Sequence, residues 1–534
     1  LNALLSAVAT QTGAEVRMRL RSPATFVACL AIAAGTFFWL PSSHGKAVSM
    51  SWETASGVLV APLYTSGAVA VALAIFSGIF LLLVGYYLVA GSVRRDRERG
   101  VGLILAATPL SNEGYLLGKF ASNFAYLGVL SLLVLSVGLV RFAIEGVGRF
   151  DPISFFLPFV LIAGPSLAFT AAAAVFFDVA PLLRSRAGNV AWFFAFIFVV
   201  AAASVSRHTE NGRLISKSIP VFDPSGTATI EQLVVESIPD AKNHSVSTGH
   251  IVLDRAPVRV PWKGIRISAG VVAARVLNFL WAVPPLFGAL LLFDRFDPAR
   301  RKFSARRRRS KAPETSTALA AGAEVHALSI SPAEPRPGFA RSAAAEALLL
   351  WQSGPIAKWL LLAASLASLF VPATALTGVA AGWIVLLVPV IAEAAAREDL
   401  AGTRSLVFSQ PGIPRSAVLW KTASMALFLL VLGAPFAVRF STLSAARGLA
   451  WITGLLFVAS FASGAGSLTR GGKLFSGILL VLWYIALSGA RDFDFCGITG
   501  GATGVGMRAV YLGIGAAFVA AAAIVERRAA GRGM

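Results

Sequence analysis

The sequence predicts an all-α polytopic membrane protein, with about twelve transmembrane helices as two six-helix repeats and a small, partly-β extracytoplasmic subdomain. Composition gives the first reason. Hydrophobic residues make up 56% of the 534 positions and charged residues 14%, where a soluble domain carries roughly 25% charged residues. The mean hydropathy is +0.74. The second reason is that apolar runs of membrane length recur along the chain. The third is that a charged, Gly- and Pro-marked segment between two such runs occurs twice.

A helix needs about 20 mostly apolar residues to cross a bilayer. On that measure the first half has spans near Thr25–Leu40, Gly67–Ala90, Ala121–Val140, Pro152–Phe177, Val190–Val205 and Ala269–Phe293. The second half has them near Ile356–Ala375, Val379–Ala396, Ala423–Phe440, Leu449–Ala465, Leu474–Ser488 and Ala509–Val525. The chain therefore divides into a first unit at 1–293, a basic, Pro/Ala/Ser-rich linker at 294–343, and a second unit at 344–534. Such a linker composition cannot bury a core and reads as disordered.

Net charge is +21, and its placement indicates topology rather than nucleic acid. Nine Lys or Arg residues fall between Arg295 and Lys311, directly after an apolar span. A basic block beside a span marks the cytoplasmic face and meets anionic lipid head groups. Arg17, Arg19 and Arg21, Arg94 to Arg99, Arg184 and Arg186, Arg470 and Lys473, and Arg527 and Arg528 fall on that same side. Arg439, Arg447, Arg491 and Arg508 fall on the other. The bias puts both termini in the cytoplasm. No cleavable signal peptide is evident, and Leu1 fits either a non-AUG start or a trimmed terminus. Trp39, Trp192, Trp383 and Trp451, near span ends, read as interface anchors.

One outer segment is long, about 206–266. Its β-branched runs are broken by turn signals, including Asp223-Pro-Ser-Gly226. It predicts a small fold with strands and one short helix near Thr229–Ser237. Two distant cysteines and five scattered histidines give no disulfide framework and no metal-ligand spacing. No Ser/His/Asp set and no paired carboxylates appear, so no residue reads as catalytic.

The repeated segment carries most of the functional information. Its first copy is RRDRERGVGLILAATPLSNEGYLLGKF, Arg94 to Phe120; its second is REDLAGTRSLVFSQPGIPRSAVLWKT, Arg397 to Thr422. Placing Pro109 on Pro411 gives an offset of 411 − 109 = 302. That offset also superposes Arg95 on Arg397, Asp96 on Glu398, Gly100 on Gly402 and Lys119 on Lys421. Each copy follows the second span of its half. Charge takes the chain out of the hydrocarbon. Gly turns it, a short apolar helix lies at the interface, and Pro ends that helix. A new helix then starts, with Ser111 placed to cap it. From the residues alone, such a segment is an interfacial elbow or a docking site for an intracellular partner.

The two copies resemble the cytoplasmic coupling segment of the ABC-2 family of transporter permeases, in which an acidic residue, Gly-Thr, an apolar run and Pro precede a helix ending in Gly-Lys. Gly402-Thr403 matches that pattern, while Val101 and Trp420 depart from it. The N-terminal stretch EVRMRLRSPATFVACLAIAAGTFF resembles the family's amphipathic connecting helix, and ARVLNFLWAVPPLFGALLLFDRF its closing span. The resemblance implies a permease subunit of an ATP-driven exporter in a bacterial cytoplasmic membrane. It implies two separate ABC ATPase subunits, which would hold ATP and Mg; this chain would hold no cofactor. It also implies that Arg95, Asp96, Glu98, Gly100, Pro109, Lys119, Arg397, Glu398, Gly402, Thr403, Pro411 and Lys421 take part in ATPase coupling. GYLLGKF, Gly114 to Phe120, lacks the spacing and the Ser/Thr of a phosphate-binding loop, so ATP hydrolysis falls to the partner. The apolar spans favour an amphiphilic, lipid-like or peptide-like substrate. Alternatives are a non-transporting scaffold or force-transmitting subunit for an extracytoplasmic partner, and an ion-coupled secondary transporter, for which no mid-membrane carboxylate stands out.

Overall fold

The computed structural model describes residues 2–184, 186–205, 221–238, 241–253, 255–296, 338–352, 357–408, 413–487, 493–499 and 504–531. The chain is mostly helical. Among the described residues eight helices are long and apolar enough to cross a membrane, or up to ten if each of two bent pairs is one span. The two remaining expected positions hold shorter apolar helices, Gly188–Ala202 and Lys473–Leu487. The protein is a multi-pass membrane protein.

Each half begins with an arm bent sharply from the helix after it. In the first half α1 (Asn2–Leu20) meets α2 (Pro23–Trp39) at 76°. Ser22 caps α2 and Pro23 opens it, a pairing that stops one helix and starts the next. The first half continues with α3 (Ser66–Phe76), a π-turn at Ser77–Leu81, and α4 (Leu82–Val89). Next come the short α5 (Ser92–Glu98) and α6 (Val101–Ala106). Then follow α7 (Asn112–Glu145), α8 (Pro152–Val179), α9 (Arg186–Val205), α10 (Thr227–Ser237), α11 (Ala269–Leu277) and α12 (Val283–Leu292). In the second half α13 (Phe339–Gln352) meets α14 (Ala357–Ala367) at 97°. After it come α15 (Ala373–Ile391), the short α16 (Arg397–Ala401) and α17 (Arg404–Phe408), α18 (Ile413–Leu443), α19 (Ala445–Thr469), α20 (Lys473–Leu487) and α21 (Val505–Gly531).

The halves meet through corresponding helices. The second-span helix α4 packs on α20, and α15 packs on α9. A methyl on Gly477 would lie 3.2 Å from the Tyr87 side chain, so glycine permits the close approach. The Phe196 and Tyr484 rings meet edge to face at 5.6 Å, and the Lys473 ammonium donates to the Ala90 carbonyl at the end of α4.

The segment after α9 folds with a part of the chain not expected to form strands. Strands β1 (Ala47–Thr54) and β2 (Leu59–Pro62), between α2 and α3, join β3 (Ala241–Val252) and β4 (Val258–Val260). The sheet order is β3-β1-β2-β4, antiparallel except for the β2–β4 pair. Its core joins Met50, Trp52 and Val60 to Ile230 and Val234 of α10, Val71 and Ile75 of α3, and Ile162 of α8, so the sheet is packed directly on the helical bundle. The predicted short helix is present as α10, and its upstream Asp-Pro-Ser-Gly is a turn with Gly226 at φ +74°.

That turn is set into the bundle. Asp223 is fully buried. Its carboxylate accepts from the Thr229 amide and hydroxyl, both at 2.8 Å, and from Ser225 Oγ at 3.0 Å. Asn278 accepts from the Asp223 amide, and Arg275 donates to its carbonyl at 2.6 Å. A methyl on Gly78, in the π-turn, would collide with the Ser225 carbonyl oxygen. The second half has a comparable loop at 493–499. Buried Asp494 accepts from the Ile498 and Thr499 amides at 2.9 and 2.8 Å. Gly497 has φ +66°, Arg447 donates to the Ile498 carbonyl at 2.6 Å, and glycine at 454 makes room for Cys496.

Trp192, Trp383 and Trp451 are not interface anchors. They are buried, and their indole N–H groups donate to the carbonyls of Leu83, Leu361 and Gly433. Inside an apolar bundle a helix carbonyl is the available acceptor, and the ring fills the core.

Candidate functional site

Two clusters of charge, one in each half, hold the repeated segments. In the first, Asp178 at the end of α8 accepts from the amides of Gly91 and Val93 at 2.5 and 3.1 Å, which starts α5. From α5, Arg95 reaches Glu15 of α1 at 2.5 Å, and Asp96 meets Lys119 of α7 at 2.6 Å. Lys119 also binds Glu15 at 2.5 Å, and the Tyr115 hydroxyl donates to Asp96 at 2.7 Å. Lys119 is 1% exposed. One buried ammonium thus joins the arm, the charged helix and the following span. An ion at this depth persists only because two carboxylates satisfy it.

The second cluster repeats the plan. Arg397 reaches Glu346 of the arm α13 at 2.8 Å, and buried Lys421 of α18 binds Glu398. Lys421 donates as well to the Ala395 carbonyl at 2.9 Å. The structure therefore gathers Arg95, Asp96 and Lys119 in one cluster and Arg397, Glu398 and Lys421 in the other. Sequence reasoning missed Glu15 and Glu346. The signal was an acidic residue on each arm, but nothing local tied it to its partners.

From each cluster the chain turns through a left-handed glycine. Gly100 has φ +74° and Gly402 φ +69°, a conformation that side chains other than glycine rarely adopt. The Thr403 carbonyl accepts from the Leu406 and Val407 amides and opens α17. The short helices α6 and α17 then present apolar side chains outward: Leu103 is 58% exposed, Ile104 69% and Leu406 73%. Pro109 lies in the turn after α6. Ser111 caps α7 by accepting from the Gly114 amide at 3.1 Å. Pro411 lies outside the described residues. Glu98 stands apart from the cluster, exposed and paired at 3.5 Å with Arg94 one turn back.

The charged helix α5 and the short helix α17 are also tied to the end of the last helix of their half. Arg97 pairs with Asp294, just beyond α12, at 2.6 Å. Arg404 pairs with Glu526 of α21, and with Asp399 at 2.7 Å. Burial alone would lower the affinity of the Arg404 guanidinium for its proton. The Glu526 and Asp399 carboxylates outweigh that and raise it.

Among the described residues no three His, Cys, Asp or Glu side chains gather in a way that could hold a metal ion. Two buried ion clusters, each supporting a short helix with an exposed apolar face, define the site of a multi-pass membrane protein. Comparison of the chain with protein-family models, with curated proteins and with solved structures finds no match.

Proposed function

We propose that the chain is the membrane-spanning permease subunit of an ATP-driven exporter, and that α6 and α17 each dock one separate ATPase subunit. The observation that carries this reading is the repeated support. Each short helix exposes apolar side chains while a buried Lys, two carboxylates and an Arg fix the chain just before it. An apolar helix face held on a rigid base suits transmission of movement from a partner. Closure of the ATPase pair on ATP would move α6 and α17, and the halves would then rock about the α4–α20 and α9–α15 contacts. ATP drives this only through different affinity for the two states. On this reading the chain lies in a bacterial cytoplasmic membrane with both termini inside, and the substrate is amphiphilic, lipid-like or peptide-like.

The test is purification from native membranes with neighbouring gene products coexpressed, followed by an ATPase assay. The intact chain is compared with a variant carrying Leu103→Asp, Ile104→Asp and Leu406→Asp. These side chains are exposed, so their replacement leaves the clusters intact. An ATPase subunit that copurifies with the intact chain and is lost with the variant supports the reading. A chain that purifies without ATP hydrolysis overturns it.

A second reading, transmission of force to an extracytoplasmic partner, is favoured by the setting of the Asp223–Gly226 turn into the bundle. Export that continues after replacement of residues 227–252 by a short flexible linker would remove it.

A further inference from the structure

The ends of the closing helices touch the two short helices at one repeat position, in different chemistry. The offset of 302 places Gly102 of α6 on Arg404 of α17, since 404 − 102 = 302. In the first half this position is glycine, and a methyl there would come within 2.5 Å of the Phe296 ring. Phe296 follows α12 and is buried, packed on Phe293 and Tyr115 with ring centroids at 5.3 and 5.6 Å. Arg97 crosses over the Phe296 ring at 5.7 Å to reach Asp294. The neighbouring Arg295 donates to the carbonyls of Thr108 and Leu110 at 3.0 and 3.1 Å, immediately after α6. Arg295 and Phe296 both have positive φ, 47° and 63°, a conformation costly for residues with side chains and held only where surroundings over-determine it. In the second half the equivalent position is Arg404, which reaches the Glu526 carboxylate of α21.

We propose that the end of the closing helix is a positioning element for the short helix of its own half. Asp294, Arg295 and Phe296 set α6, and Glu526 sets α17. The inference rests on the exporter reading for its consequence, because the closing helix then shares whatever displacement the ATPase imposes. Each short helix is fixed at two points, the Lys cluster before it and the closing helix beside it. A push on it therefore reaches four elements of the half: the arm, α7 or α18, the charged helix, and α12 or α21. The two halves use unlike contacts, an aromatic ring on glycine in one and a carboxylate on arginine in the other, so they are separable by mutation.

The experiment measures backbone amide exchange at 101–106 and 404–408 in the full chain, together with ATPase activity of the purified complex. Asp294→Arg should speed exchange of 101–106 by about tenfold and leave 404–408 unchanged, and Glu526→Gln should do the reverse. Adding Arg97→Asp to Asp294→Arg should restore protection, which a general loss of folding would not allow. In the complex, each single variant should retain bound ATPase while ATP turnover falls several-fold. Exchange that changes in neither segment, or equally in both, overturns the proposal, as does normal coupling in both variants. If the unaltered chain carries no ATPase, the exporter reading fails, and the exchange arm still decides whether the closing helices position α6 and α17.

Discussion

The Arg275 Nε donates at 3.1 Å to the carbonyl of Leu161, the acceptor that Pro165 leaves without its helical donor. A proline inside a helix removes the hydrogen bond to the residue four positions earlier. In a membrane the freed carbonyl has no water to turn to. Here a buried guanidinium from α11 supplies the donor and at the same time holds Asp223. Arg275→Met should cost about 3–5 kcal/mol, because it strands Asp223 as well as the carbonyl. Pro165→Ala in the same chain should recover part of the loss by returning the helix its own donor. Thermal unfolding of the detergent-solubilised protein measures both. Equal stability of the single and double variants would show that Arg275 serves Asp223 alone.

The Lys119 cluster should behave non-additively. Lys119→Met takes the ammonium from the buried Asp96 carboxylate, while Glu15 keeps Arg95, and should cost about 3–5 kcal/mol. The double variant Asp96→Asn, Lys119→Met removes both charges of that pair, leaves Glu15 on Arg95, and should cost less than the single change. The same ranking should hold for Lys421 with Glu398, since Glu346 is held by Arg397. Unfolding midpoints that worsen with each added substitution would contradict it.

Glycine at 78 should be intolerant of a methyl. Gly78→Ala drives Cβ into the Ser225 carbonyl oxygen and should displace the Asp223–Gly226 turn, at a cost of about 1–3 kcal/mol. Gly128→Ala is the control. It lies in α7 with open space around it and should be neutral or gain about 0.5–1 kcal/mol. Limited proteolysis of the subdomain formed by β1–β4 and α10 reads the difference: faster cleavage for the first variant, unchanged for the second.

The contact between halves is testable by cross-linking. Phe196→Cys with Tyr484→Cys replaces two rings 5.6 Å apart. A short bifunctional thiol reagent should join the halves, so that cleavage at a protease site inserted within 297–337 no longer separates them on a denaturing gel. Cys29→Ser and Cys496→Ser variants remove the native thiols. Full separation after treatment would mean that α9 and α20 do not face each other.

Local features were legible in the sequence, and distant ones were not. Gly100, Gly402 and the Ser111 cap act within a few residues, so their backbone consequences follow from residue type and order. The Asp223-Pro-Ser-Gly226 turn was readable for the same reason. The partners of Lys119 were only half readable: Asp96 belongs to the same segment, whereas Glu15 lies 104 residues away on the arm. Strand β1 does carry the period-two signal, apolar Val48, Met50 and Trp52 against polar Ser49, Ser51 and Glu53, but the run is short and its partner β3 lies far along the chain, so nothing local joined it to a sheet. The tryptophans misled because a ring near the end of an apolar run looks the same whether it faces lipid or a neighbouring helix.

The bond from Lys473 to Ala90 spans 383 residues. The seals at Asp223 and Asp494, by contrast, are each made within one half. A chain emerging from the ribosome can therefore complete the packing of its first half while most of the second is still unmade. The end of α4 and the Tyr87 ring then wait for α20, which is made near the end of the chain. A product truncated before α20 would still carry the α9–α15 contact but would leave Tyr87 and the end of α4 uncovered.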